Sequence, residues 1–475
     1  MDQEGKQNPD CRQAHRGASR MSAFLLCTLV LATAQRHTFS QSSLIGGSVP
    51  SGPATSSVLH LSLRDAIQRG LQYNLAEIES DQNTGIARGE RLIALSKLLP
   101  QVNGDASEEI QQLDLSSLGL KIPGVPNVIG PFGVSGVEGT INQTIFSSES
   151  VRRLLAARSA EQAAQLNYQD TLDLVTLSVG NAYLLVIEAG SRIEAQEAQV
   201  RNARVLFDQA RDEVEAGTVP RIDETQTEVQ LHSEEYTLSV TRNNFAVAKL
   251  NLARAIGLPL GQQFDLTDQL PYSEVTSLNL DEALSIANHS RSDLKAAMAS
   301  QHSAAQSLSA ARMERLPIIT ASGHYGDQGT TFAQSHGEFT FQGEISVPLF
   351  TGGRIKGDIA EAQATLRQRI ADTENLRGQI DYDVRTAFLN LNAANEQVTV
   401  ARQNVGLAND SLTRSKDRFA SGVTNSVEVV QAEQSLANAD DQYITSLYNY
   451  NFAKLSLARA LGEARTNFEQ YLGGK

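Results

Sequence analysis

The sequence predicts a mainly α-helical chain that also carries a membrane β-sheet, laid down twice in tandem. Two stretches repeat one another at a fixed offset, two proline-free segments of about 70 residues carry a seven-residue apolar period, and two short segments alternate between apolar and polar residues. The repeat is plainest where Ala216 to Val229, AGTVPRIDETQTEV, is matched by Ser421 to Gln434, SGVTNSVEVVQAEQ. One offset of 205 positions pairs Gly217 with Gly422, Gln226 with Gln431 and Glu228 with Glu433, and runs on to align 248–257 with 453–462.

A chain of 475 residues has room for two or three ordinary domains, but a tandem repeat of about 200 residues points to two copies of one elongated unit. Aromatic residues are 5% of the chain and Trp is absent, which is thin for a compact core and natural for long Ala-rich helices. The net charge of −14 excludes a nucleic-acid partner, because a polyanion would be repelled.

Residues 1–34 read as a cleaved export signal. Arg12, Arg16 and Arg20 precede the apolar run AFLLCTLVLA, and Ala32-Thr33-Ala34 supplies small residues for cleavage, with Met21 as an alternative start. The apolar run is too short to span a bilayer, which takes about 20 residues. Both cysteines, Cys11 and Cys27, lie in this segment, so the exported chain is expected to have no thiol or disulfide chemistry unless Cys27 is lipidated. Loss of four basic and three acidic side chains moves the net charge from −14 to −15.

Residues 35–58, rich in Ser, Gly, Pro and Thr, are expected to be a flexible lead-in. The first repeat is placed at 59–260, a linker at 261–277, the second repeat at 278–464 and a tail at 465–475. Each repeat opens on a short amphipathic helix with an acidic first turn, aligned through Leu61 and Leu278, Leu63 and Leu280, and Ala66 and Ala283. A second helix, over 74–99 or 291–316, ends at a Leu-Pro pair, where proline bars the preceding residue from the α conformation.

Beyond those prolines the period becomes two. In 337–350, Phe339, Phe341, Gly343, Ile345, Val347 and Leu349 share one face, and Thr340, Gln342, Glu344 and Ser346 the other. The first copy sets Val137, Gly139, Ile141 and Ile145 against Glu138, Thr140, Asn142 and Thr144, with Gln143 as a polar intrusion. Hairpin partners are expected over 100–111 and 317–325, joined by loops through LKIPGVPNVIGPFG in one copy and QGTTFAQSHG in the other. A soluble sandwich would bury one face of such strands too, but four strands leave two raw edges, and association of three chains would close twelve strands into a barrel.

The segments 147–217 and 352–422 contain no proline and predict helices about 105 Å long. In the second, Val384, Leu391, Val398, Val405, Leu412 and Phe419 recur every seven residues, beside Ile380, Ala387, Ala394, Ala401 and Ala408. In the first the row is Val179, Val186, Ile193, Val200, Phe207 and Val214, beside Ala182, Ala189, Ala203 and Ala210, with Gln196 breaking the alanine row. Such a period imposes a left-handed supercoil, and alanine admits a close neighbour. Shorter return helices over 220–256 and 426–461 would cover the tip half of each long helix, and the helices before the strands the other half.

This order of elements, with VPLFTGGR at 347–354 and its degenerate copy QTIFSSES, resembles the TolC-type outer-membrane efflux proteins over about 59–463. The resemblance implies a homotrimer whose twelve-stranded β-barrel in outer-membrane lipid continues into a periplasmic α-helical coiled-coil barrel. It implies an exit duct of a tripartite efflux or type I secretion system, opened at its tips by a periplasmic adaptor and fed by an inner-membrane transporter. By position from the turn glycines, Glu428 and Gln431 fall where such channels carry lumen-facing acidic groups, Asp223 and Glu224 where the other hairpin supplies acceptors, and Phe419 where a tyrosine tie is common. Thr424 stands where a tie arginine is usual, and Arg221 is the available substitute. Gly217, Thr218, Val219, Gly422, Val423 and Thr424 form the implied adaptor contacts.

Simpler roles compete at each position. Glu428 three residues after Asn425 fits a helix N-cap pattern, and the glycines fit helix termini. His324, His336 and Asp327 are expected in or near an exposed loop rather than around a metal. No phosphate loop, dinucleotide fingerprint, nucleophile elbow or paired-carboxylate arrangement occurs in a fitting context, so no enzyme activity and no cofactor is expected. The rival reading is an exported coiled-coil fibre or adhesin stalk.

Overall fold

The computed structural model describes residues 47–268, 272 and 279–472. The export segment, Met21, Cys11 and Cys27 lie outside them, as does most of 261–277 beyond Asp268. The first repeat runs β1 (Leu59–Leu61), α1 (Leu63–Tyr73), α2 (Leu75–Ser96), β2 (Gln101–Asp114), β3 (Val128–Phe146), α3 (Ser148–Glu215) and α4 (Arg221–Ala255). Then come β4 (Phe264–Leu266), α5 (Leu280–Ser290), α6 (Ser292–Met313), β5 (Ile318–Gly329), β6 (His336–Ser346), α7 (Arg354–Ala420), α8 (Ser426–Leu461) and α9 (Ala464–Leu472).

Local chemistry starts these helices where they start. Ser62 opens α1 with a capping box: its hydroxyl accepts from the Asp65 amide at 3.2 Å, and its own amide donates to the Asp65 carboxylate at 3.1 Å. Ser147 caps α3 by accepting the Ser150 amide at 3.1 Å. At 68 and 67 residues, α3 and α7 are each about 100 Å long.

The two long helices bury their apolar rows differently. On α7, Ile380, Val384, Ala387, Leu391, Ala394, Val398, Ala401, Leu412 and Phe419 are buried, as the seven-residue period expects, while Val405 and Ala408 of the same rows are half-buried. On α3 the expected row holds through Val179 and Val186, but Ile193, Val200, Phe207 and Val214 are only half-buried. There Ala203 and Ala210 of the alanine row are buried as expected, while Gln199 and Leu206, each one residue before the expected Val200 and Phe207, take the other buried positions. A helix of 3.6 residues per turn drifts about 20° per heptad against a strict seven-residue row, and here the packing follows the helix rather than the row.

α3 lies against α4 toward its far end, where Gln196 donates to the Glu234 carboxylate at 2.6 Å, and against α2 nearer the sheet, where Tyr168 donates to Glu77 at 2.9 Å. α7 lies against α8 and α6. One neighbour was not expected: α6 also runs along α3, its Ser303 donating to the Ala156 carbonyl at 2.8 Å and His302 meeting Ser159 at 2.9 Å. The second repeat is thereby bound to the first.

The four-stranded sheet is antiparallel throughout, in the order β2-β3-β5-β6. Its register sorts the side chains. Val102, Ile141, Gly323 and Phe341 form one row across all four strands, and the next row on that face is Gly104, Gly139, Tyr325 and Phe339. On the other face the corresponding rows are Asn103, Thr140, His324 and Thr340, then Asp105, Glu138, Gly326 and Glu338. A Cβ at Gly323 would stand 2.8 Å from the Phe341 ring, so its hydrogen lets that ring lie across β5. The apolar face is exposed in the single chain, an arrangement that suits lipid rather than water.

Several expectations are corrected. The GPFG stretch is not loop: β3 runs back to Val128, and its residues Phe132 and Gly133 pair with Gln111 and Ile110. Proline is tolerated because Pro131 falls where the ladder shifts register, between Gln111 and Leu113. A second bulge passes the register from Thr144 opposite Thr320 to Phe146 opposite Ile319, so Phe146 and not Ile145 continues the apolar row. His324 and Asp327 lie within β5 and His336 begins β6 rather than sitting in a loop, because the hairpin connection is only 330–335.

Residues 47–58, expected to be flexible, are tied down. Val49 donates to the Tyr73 carbonyl at 2.9 Å, Ser51 to Gly257 at 3.0 Å and the Thr55 amide to the Gln262 side chain at 2.7 Å. The expected linker holds β4, parallel to β1 with Leu59 opposite Phe264, and Asp268, which accepts the Leu63 amide at 2.7 Å and the Tyr183 hydroxyl at 2.8 Å. Strands of three residues are too short to show a period. The expected tail forms α9, whose Arg465 amide donates to buried Asp173 at 3.0 Å.

Candidate gate at the helical tips

Both long helices end in one backbone motif. Thr218 donates to the Glu213 carbonyl and Gly217 to Val214, each at 3.0 Å; 205 residues on, Val423 donates to Arg418 and Gly422 to Phe419, each at 2.9 Å. These are Schellman turns, and each needs a left-handed residue, with φ of 74° at Gly217 and 68° at Gly422. The simpler role of the two glycines, terminating helices, is therefore present in the geometry. Thr218, Gly422 and Val423 stay exposed and Val219 half-exposed, and the Thr218 hydroxyl is occupied on the Glu213 carbonyl at 2.8 Å.

Inside the turns, the first residues of α4 and α8 meet. The buried Ser426 hydroxyl donates to Asp223 Oδ1 at 2.6 Å, tying the two hairpins of one chain together. Asp223 is buried as well, and the Thr227 hydroxyl donates to its carbonyl at 3.0 Å. Behind this bond Phe419, only 6% exposed, packs in a cluster with Leu206, Leu412, Val429, Ala432 and Leu436. Phe419 is thus part of the tip core within the single chain, because the seven-residue row that carries it turns inward here.

Glu428 sits in the first turn of α8. Its carboxylate receives the Thr424 hydroxyl and lies 3.3 Å from Arg418 Nε. Asn425 makes no side-chain cap, so the expected cap pattern fails and Thr424 serves Glu428 instead. The arginine that meets Glu428 is Arg418, in the last turn of α7, which sequence spacing did not single out. Arg221 is exposed and in no ion pair among the described residues. Glu224 is half-exposed and Gln431 exposed.

A second carboxylate escaped the sequence reading. Glu433 on α8 is buried and pairs with Lys416 of α7 at 3.4 Å. Burial pushes its pKa above the usual carboxylate range, and the Lys416 ammonium pulls the other way. Its only advance signal was its match to Glu228, which is exposed in the first repeat.

A family model described as outer membrane efflux protein matches residues 79–258 and 283–463. The outer membrane protein TolC of Salmonella enteritidis is 23% identical over 344 residues, covering 68% of each chain. TolC of Vibrio cholerae is 24% identical over 378 residues, 77% of this chain and 83% of that one. The toluene efflux pump outer membrane protein TtgF of Pseudomonas putida is 21% identical over 411 residues, 84% and 83% of the two chains. Among solved structures, the outer membrane protein VceC of Vibrio cholerae aligns with a TM-score of 0.73 at 20% identity over 85% of this chain and 96% of that one. The Campylobacter jejuni CmeC outer membrane channel aligns at 0.75 with 15% identity, over 89% and 92%.

Proposed function

Because this chain belongs to the outer membrane efflux protein family, we propose that it is the exit duct of an export machine that spans two membranes. It is an outer-membrane protein whose helical part lies in the periplasm. In this reading three chains join their sheets edge to edge into a twelve-stranded barrel, and their helices continue it as a tunnel. The duct does no chemistry. A periplasmic adaptor docks at the tips around Gly217 to Val219 and Gly422 to Thr424, an inner-membrane transporter supplies the driving force, and the substrate passes through water.

One observation carries the reading: the sheet has an exposed apolar face, an acidic face and two unpaired edges, β2 and β6, at the end of helices about 100 Å long. Closing three such sheets turns Phe339 and Phe341 to lipid and Asp105, Glu138 and Glu338 to the lumen. An exported stalk would have no use for an apolar face of this kind. The acidic lumen predicts a preference for cations.

Purified protein in planar lipid bilayers is expected to show cation-selective steps whose open probability rises in Glu428→Ala. A protein that stays silent in both forms, and leaves membranes on washing with salt, would overturn the reading in favour of the stalk.

A further inference from the structure

The two repeats meet inside the chain along one seam, and the same seam recurs where the chain is open. At the closed seam β3, the last strand of the first repeat, pairs with β5, the first strand of the second, and α6 fills the angle between α3 and α7. By the repeat, β6 corresponds to β3, β2 to β5, and α2 to α6. Among the described residues neither β6 nor β2 has a partner on its outer edge. The matching face of α2 is likewise uncovered: Ile86 and Ile93, 60% and 64% exposed, stand 217 positions before Ser303 and Ala310, which lie on the covered face of α6.

Charge identifies the occupant. At the closed seam Glu314, with a side chain 5% exposed, ends α6 and holds two arginines, Arg153 of α3 at 3.0 Å and Arg354 of α7 at 2.8 Å. Carried across by the repeat offsets of 217 and 205, Glu314 becomes Lys97, Arg354 becomes Glu149 and Arg153 becomes Asp358. All three signs reverse. The supporting pairs reverse with them: Arg153 leans on Glu149 at 2.6 Å, and Arg354 on Asp358 at 2.8 Å. Lys97 ends α2 as Glu314 ends α6, is exposed, makes no ion pair among the described residues and lines one cleft with Glu149. Asp358 lies beside Arg354 on α7 and outside the cleft that Lys97 lines, so by the repeat correspondence the Asp358 that completes the set is that of a second chain.

Resting on the ring reading above, we propose that Lys97 forms an intersubunit clasp between Glu149 of its own chain and Asp358 of the neighbouring copy, the charge-reversed counterpart of the clasp on Glu314. The reversal gives the ring its order. Lys97 brought to the seat of Arg153 and Arg354, or Glu314 to that of Glu149 and Asp358, meets two like charges, and such juxtaposition rejects the wrong repeat. First and second repeats must then alternate, and α2 cannot displace α6 from its own chain during assembly.

The exported chain is expected to hold no cysteine, so Lys97→Cys with Asp358→Cys, treated in detergent with a short bismaleimide, reads the contact directly. A ladder ending at three linked chains, absent from either single variant, is expected. Light scattering on the same sample separates the outcomes: trimers that do not cross-link overturn the clasp alone, whereas monomers overturn the ring and the clasp with it. As a second reading, Lys97→Glu is expected to raise the subunit dissociation constant by roughly fivefold per interface, and adding Asp358→Lys to recover most of it. If the double variant dissociates as readily as Lys97→Glu, the pairing is wrong.

Discussion

The Ser426 hydroxyl and the Asp223 carboxylate, 203 positions apart in the chain, form a buried 2.6 Å hydrogen bond that joins the two helical hairpins at their tips. Hydroxyl to carboxylate is a charge-assisted bond, and loss of the donor leaves a buried acceptor without it. Ser426→Ala is expected to weaken the tips by about 1 to 3 kcal/mol. Hydrogen exchange should show faster opening at the starts of α4 and α8 with the sheet unaffected, and conductance should rise. Unchanged exchange at both starts would dismiss the bond as a tie.

The Arg418 and Glu428 pair belongs to a weaker class. Both side chains are substantially exposed, so the pair contributes about 0.2 to 1 kcal/mol and is screened by salt. Arg418→Ala should therefore raise open probability less than Ser426→Ala, and the difference between Arg418→Ala and the parent should shrink as ionic strength rises. An effect that persists at high salt would point away from an ion pair.

Phe419 provides a test of core against gate. Truncation to Ala empties a buried site and should cost the tip about 3 to 5 kcal/mol, seen as early local melting. A side chain serving only as a gate would raise conductance on truncation without that melting.

Gly217 and Gly422 have no heavy atom within 4 Å of an added Cβ, so only the left-handed backbone opposes substitution. Alanine at either site should cost about 1 to 2 kcal/mol through φ alone. Asn, which tolerates that region better, should cost less. Equal losses for Ala and Asn, or loss of adaptor binding without loss of stability, would show that the glycines are contact sites first.

The buried Glu433 links tip stability to pH. Its folded-state pKa is raised above the ordinary 4.5, so between 4.5 and the raised value the folded chain holds more protons than the unfolded one. Its stabilising contribution is complete below 4.5 and is lost as pH rises through the raised value. Glu433→Gln should flatten that decline, and Lys416→Met, which leaves the carboxylate unpaired, should deepen it. Tip melting followed from about pH 4 to 7 in the three proteins distinguishes these slopes.

Local patterning was enough to set the long helices, the main strands and their order. The repeat, the proline-free runs, the change of period from 3.6 to 2 and the turn glycines each depend on residues a few positions apart, so the long helices, the return helices and the two faces of β6 could be read without coordinates. Which distant residues meet was settled by the assembled fold. It set Ser426 on Asp223 and Arg418 on Glu428, turned Phe419 inward, laid α6 across α3, and joined the lead-in to the linker through Gln262 and the linker to α1 through Asp268. These relationships depend on how two supercoiled hairpins are phased around one another. No local period encodes that phase, because a helix drifting against a seven-residue row chooses its buried residues only once its neighbours are in place.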